Sequence, residues 1–140
     1  MGQEAVISNL AITCYCAKHR IERLTPDEMH ASLPELDRPG LQLGNYYTDT
    51  VTNPPRLAWM MVDRGFAPDV IVRKVGKIVT KAHRSTSLVS LMHLGQYAIV
   101  ILVPNERKKW LVDRILAKRF FAHVTVTVVV VPEIQPLLLS

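Results

Sequence analysis

The chain has 140 residues, 49% of them hydrophobic and 21% charged, with a formal net charge of +5 and a pI near 9.5. Such a length and composition suit one domain with one packed core and exclude a disordered tail. The basic balance points to polyanionic partners, namely RNA, DNA or an acidic membrane surface.

The amino terminus, "MGQEAVISNL", has an early acid and no basic stretch ahead of its apolar run, so no secretory signal is expected. Val6 stands where N-myristoylation needs Ser or Thr. "AVISNLAITCYCA" is apolar with a mixed period, and helix and strand are both open for it. It holds both cysteines of the chain, Cys14 and Cys16. With His19 they spell C-x-C-x-x-H, but no clear fourth ligand accompanies them. Buried thiols are therefore expected, without a disulfide, a metal or any other cofactor. A basic patch follows at Lys18, Arg20 and Arg23.

"TPDEMHASL" reads as a short helix, with Thr25 as N-cap, Pro26 at the first helical position and acids in the first turn; "PELDRPG" ends it. Residues 1–40 are expected as an extension, 41–132 as the domain proper and 133–140 as an apolar tail. "LQLGNYYTDTV" is a plausible strand. "RLAWMMVDRG" reads as a helix on the spacing of Leu57, Met60, Met61 and Arg64, stopped by Gly65. "PDVIVRKVG" reads as a strand and "KIVTKAHRSTSLVSLMHLG" as the second helix, with Val79, Ala82, Leu88, Leu91 and Met92 on its apolar side. "QYAIVILVP" is apolar enough for a central strand, and "AHVTVTVVVVP" is another strand. Between them, residues 106–118 fit either a helix begun by Asn105 or a projecting hairpin. The expected fold class is α/β: a two-layer sandwich with a mixed four-stranded sheet and two helices on one face, in the order β-α-β-α-β-β, after the extension. The longest apolar run, "VTVTVVVV", is too short to span a bilayer as a helix, so no membrane association is expected. An intracellular protein of nucleus or cytoplasm is the expectation, with an organelle such as the mitochondrion open.

Charge is segregated along the chain. From Arg73 to His123 there are 11 basic residues against two acidic ones, of 17 and 12 in the whole chain, which makes this stretch +9 and the remainder −4. Five of the cations, Arg73, Lys74, Lys77, Lys81 and Arg84, cluster around Gly76. If Gly76 is a strand-to-helix turn, it lets the backbone approach a ligand, and the helix start adds unpaired N–H groups and partial positive charge. Lys77 and Lys81 then stand one helical turn apart, within reach of successive phosphates. A second candidate surface is Arg107, Lys108, Lys109, Trp110 and Arg114, where Trp110 could stack on an unpaired base.

This order of elements with this basic turn resembles the Alba superfamily of small nucleic-acid-binding proteins. The residues that carry the resemblance are Gly65, the "VIV" of Val70 to Val72, Arg73, and then Gly76 to Ala82, together with the closing "HVTVTVVV". The resemblance covers about two-thirds of the chain. It implies a homodimer or a heterodimer with an Alba-like paralogue, and a basic hairpin over residues 107–121 that clasps nucleic acid. Two departures, "YYTDTVTNPPR" where archaeal members carry a Lys pair and Val75 where many have Arg, fit the divergent eukaryotic branch better. Its members are subunits of ribonucleoproteins such as ribonuclease P.

No enzyme is expected: there is no phosphate-cradling Walker loop and no G-x-G-x-x-G, and His83, His93, His123, Asp37, Asp49 and Asp63 form no catalytic or metal-ligand spacing. The leading expectation is thus an RNA-binding ribonucleoprotein subunit, with DNA possible and with further protein subunits as partners. Two others stand beside it. One is a structural protein–protein interaction subunit that docks its apolar tail, Leu137 to Leu139. The other is a regulatory domain, because "LDRPGLQLGNYY" and "YAIVILVPNERKKWLVDRI" resemble the N-terminal domain of HPr kinase/phosphorylase. That resemblance implies a helix over 106–118.

Overall fold

The computed structural model describes residues 3–33 and 43–139. The breaker "PELDRPG", with Asp37, and the start of the expected strand at Leu41 and Gln42 lie outside the described residues. The chain is α/β, with a mixed four-stranded sheet. Helices α1 (Gln3–His19) and α2 (Pro26–Ser32) come first. A 3-10 turn at Leu43–Asn45 leads into β1 (Tyr46–Asp49) and β2 (Arg56–Val62). Then follow α3 (Pro68–Ala82), α4 (Thr86–His93), β3 (Tyr97–Val103), α5 (Glu106–Leu116), β4 (Thr125–Val130) and α6 (Ile134–Leu139).

The sheet runs β1-β2-β3-β4, with β1 antiparallel to β2 and the other neighbours parallel. Parallel neighbours need crossover connections, which α3 with α4 and then α5 supply. All three helices lie on one face, packed by Ile71, Val75, Leu88, Met92 and Val112 against Trp59, Met61, Ile99 and Ile101. The other face, Ala58, Met60, Val62, Ala98, Val100 and Leu102, is covered by Ala11, Ile12, Tyr15 and Cys16 of α1 and by Ile134 of α6. The segment expected as an extension therefore builds half of the sheet's cover.

Within the expected class the order of elements differs. "RLAWMMV" is not a helix but β2. With helices on both faces, Ala58 to Val62 are buried without a break, so the strand shows no alternation. "PDVIVRKVG" is not a strand but the first half of α3. Ile71, Val72, Val75, Ile78, Val79 and Ala82 fall on one helical stripe and are all buried, and this packing overrides the β-preference of "VIV". The expected second helix is broken at Ser85, whose side chain accepts from the Leu88 N–H and starts α4. Three helices thus stand on that face where two are expected. Residues 106–118 take the helical of their two open conformations, capped by Asn105.

Other readings are met in whole or in part. Thr25 and Glu28 form a reciprocal capping box on α2. β3 is buried along its whole length. Gly95 adopts positive φ past the end of α4, as read, whereas Gly65, read as a helix stop, adopts positive φ in the turn after the strand β2. Of the two cysteines only Cys16 is buried; on a helix, positions two apart point to different sides, and Cys14 is half-buried. Two tyrosine pairs tie β1 to its neighbours. Tyr15 and Tyr47 hydroxyls meet at 2.9 Å on one face, and Tyr46 and Tyr97 at 3.2 Å on the other. Burial holds all four neutral, and pushes the Tyr46 phenol up to about 12. No helix of the described residues is long and apolar enough to cross a membrane.

Candidate polyanion-binding face

Helix α3 presents its buried stripe to the sheet and its polar side outward. Arg73, Lys77 and Thr80 are exposed on that side, Lys81 is half-buried, and Arg84 projects just past the helix end. These five and Arg119 surround a shallow hollow of about 420 Å³ with Gly76 in its floor. Arg73 and Asp69 pair at 3.2 Å, with both side chains about two-thirds exposed. Among the described residues, Lys77, Lys81 and Arg84 have no acidic partner within 4.0 Å. Cations left without carboxylates around one hollow raise the local potential toward an approaching anion.

Gly76 is not the strand-to-helix turn that the sequence suggests. It lies in the middle of α3, where glycine costs about 1 kcal/mol relative to alanine. Its use is close approach: a Cβ there would stand 3.1 Å from Arg119 Nη2 and 3.8 Å from Phe121 Cε1. The missing side chain lets the segment after α5 lie on α3 and delivers the Arg119 guanidinium into the hollow, while Phe121 lies 5.2 Å beneath it. Arg119 is a site residue absent from the sequence-derived set. No local signal marks it, because its place depends on a contact with Gly76, 43 residues away in sequence.

Lys74 belongs to a different place. It is half-buried, its Nζ 4.4 Å from the centre of the Phe66 ring. It lines a deeper cleft of about 640 Å³ on the far side of the same ridge, with Trp59, Met61, Phe66, Ile78 and residues of α1; Lys77 and Lys81 line this cleft too. The indole N–H of Trp59 is buried there without a hydrogen-bond partner, an omission that costs about 1–3 kcal/mol.

The second expected surface does not assemble as a basic hairpin. Because α5 is a helix, its cations diverge. Lys108 turns inward, and its Nζ lies 3.1 Å from Oδ2 of the fully buried Asp63, a contact whose angles fall short of a hydrogen bond. Asp63 Oδ1 accepts from the Gly65 and Phe66 N–H groups and so shapes the turn after β2. Lys109 pairs with Asp113 at 2.7 Å. Arg114 sits over Trp110, 4.7 Å from the ring centre, and covers one face of an indole that is 52% exposed. Arg107 is exposed, and none of these five lines the hollow or the cleft.

Among the described residues no three His, Cys, Asp or Glu side chains are placed to hold a metal ion. Comparison with protein-family models, with curated proteins and with solved structures returned no match.

Proposed function

We propose that this chain binds RNA along its phosphate backbone through the outer side of α3, as a subunit of a ribonucleoprotein. The observation that carries the reading is the hollow around Gly76, where Arg73, Lys77, Lys81, Arg84 and Arg119 converge and only Arg73 has an acidic partner among the described residues. Lys77 and Lys81 are one turn apart, so their ammonium groups can reach neighbouring phosphates of one strand. Contacts of this kind hold a backbone and set its register without reading bases. Choice of RNA then falls to other subunits, which suits a member of an assembly. The reading rests on α3 and Arg119 and does not need the strand–turn–helix on which the Alba resemblance was drawn.

The test is binding of a structured RNA and a duplex DNA of equal length across a salt series. The wild-type chain is expected to show a steep salt slope and to prefer RNA. Lys77→Glu with Lys81→Glu should weaken RNA binding at least about tenfold and flatten the slope by about 1.4, from two phosphate contacts at about 0.7 each. The circular dichroism should not change, because neither ammonium group is buried in the core. A slope unchanged by the double substitution would sink the proposal.

A further inference from the structure

We infer that the cleft beside α3 takes one unpaired nucleotide, with its phosphate on Lys77 and Lys81 and its base inside. For the origin of that nucleotide, an RNA strand lying on α3, the inference rests on the function proposed above; the pocket itself stands on separate observations.

Among the described residues the sheet lacks a corner at the cleft. β1 begins at Tyr46, opposite Trp59, and β2 runs on through Met60, Met61 and Val62 with no described strand beside it on that edge. One side of the gap is closed by α1 and the other by α3. The α1 side is held in place by Arg23. Its Nη2 donates to Asn9 Oδ1 at 3.1 Å and to Asn45 Oδ1 at 3.3 Å, and its Nε donates to the Gly44 carbonyl. The wall is therefore formed before a ligand arrives.

The size, about 640 Å³, is that of a small-molecule site. The chemistry is divided as a nucleotide requires. Trp59, Met61 and Ile78 supply an apolar inner wall, and Ser8 lies opposite, beside Asn9 and Asn45, which are engaged by Arg23. The Trp59 N–H is itself buried and has no acceptor among the described residues. Three lysines stand along the α3 side, and two of them, Lys77 and Lys81, also line the outer hollow. A phosphate held by these two lies on the ridge between the cavities. A backbone tracking the hollow would thus bring one base to the mouth of the cleft, where an unstacked base can be buried against aromatic and aliphatic side chains. A base-paired nucleotide cannot enter, so the cleft discriminates single-stranded or flipped positions from duplex.

The experiment uses Trp110→Phe, which leaves Trp59 as the sole indole and alters a half-exposed side chain. Adenosine 5′-monophosphate should change Trp59 emission saturably. Adenosine and inorganic phosphate should each need at least tenfold higher concentration for the same change. Ser8→Phe, which fills the cleft, should abolish the response while leaving duplex RNA binding and its salt slope in place. On the unsubstituted chain, amide and indole resonances report independently: the monophosphate should shift Trp59 Nε1–H, Ser8 and Asn45. No shift of these resonances at millimolar monophosphate overturns the inference, whatever RNA does. So does inorganic phosphate that matches the nucleotide, since the cleft would then hold a bare anion. Nucleotide binding in the cleft by a chain that fails to bind RNA would support this inference and remove the function proposed above.

Discussion

Helix α3 carries Arg73, Lys74, Lys77 and Lys81; helix α5 carries Arg107, Lys108, Lys109 and Arg114. The two pack against each other on one face of the sheet. On α5, Lys108 is spent on the buried Asp63, Lys109 on Asp113 and Arg114 on the Trp110 ring. On α3 the only acid is Asp69, and Lys77 and Lys81 meet no carboxylate among the described residues. Equal numbers of cations on the two helices are therefore placed differently. One helix engages three of its four cations within the fold, and the other leaves Lys77 and Lys81 without a carboxylate among the described residues. The difference lies in what each helix abuts: the first turn of α5 meets a buried carboxylate at the end of β2, whereas the polar side of α3 faces outward.

The largest expected effect breaks this comparison at Lys108. Its side chain is 19% exposed, and Asp63 is fully buried. Lys108→Met leaves that carboxylate without a counter-charge and should destabilise the chain by about 3 kcal/mol in a denaturant titration, the low end for breaking a buried pair. Lys77→Met should stay within about 0.5 kcal/mol, as surface substitutions do. Equal losses at the two lysines would erase the distinction between the helices.

That distinction was only half legible in the sequence. Signals confined to a few neighbouring residues were readable. The Thr25 cap and the apolar run of β3 each act within one turn or one strand and stand as read, and the Asn105 cap belongs to one of the two conformations left open for residues 106–118. The exchange of β2 and α3 shows the opposite case. Leu57, Met60 and Met61 mimic part of a helical stripe because Leu57 to Val62, in a strand covered on both faces, are all apolar. "VIV" mimics a strand because Val and Ile happen to fill a helix's buried side. The longer window decides for α3: its stripe continues from Ile71 to Ala82, further than a strand of ordinary length. Of the site, Arg73, Lys77, Lys81 and Arg84 were readable as a cluster, since they lie within a few turns of one another. Arg119 and Trp59 were not, nor was the loss of Lys108 to Asp63, because each depends on contacts between residues distant in sequence.

A smaller effect sharpens the α3 side. Gly76→Ala should gain about 0.5–1 kcal/mol from helix propensity. The new methyl meets the end of the flexible Arg119 side chain, which can swing away. The variant should therefore be as stable as the parent or more so, read by thermal unfolding, while its RNA affinity falls severalfold as the guanidinium leaves the hollow. Unchanged affinity would show that Arg119 contributes nothing to the face.

The smallest effect on stability carries the most informative sign. Arg73 and Asp69 form an exposed pair one helical turn apart, worth only about 0.3–0.5 kcal/mol to the helix. Asp69 also lies in the first turn of α3, where a carboxylate is favoured by the helix dipole, so Asp69→Asn should cost a little more than the pair alone. Yet the same substitution releases Arg73 and removes the one acid of the helix. If the outer side of α3 binds phosphates, the variant must be slightly less stable and yet bind RNA more tightly at low salt, by about two- to threefold, with the gain vanishing as salt rises. A protein whose α3 cations serve only solubility would show the first change without the second. Opposite movements of unfolding midpoint and RNA affinity in a single variant would separate a face kept open for a ligand from one that is merely charged.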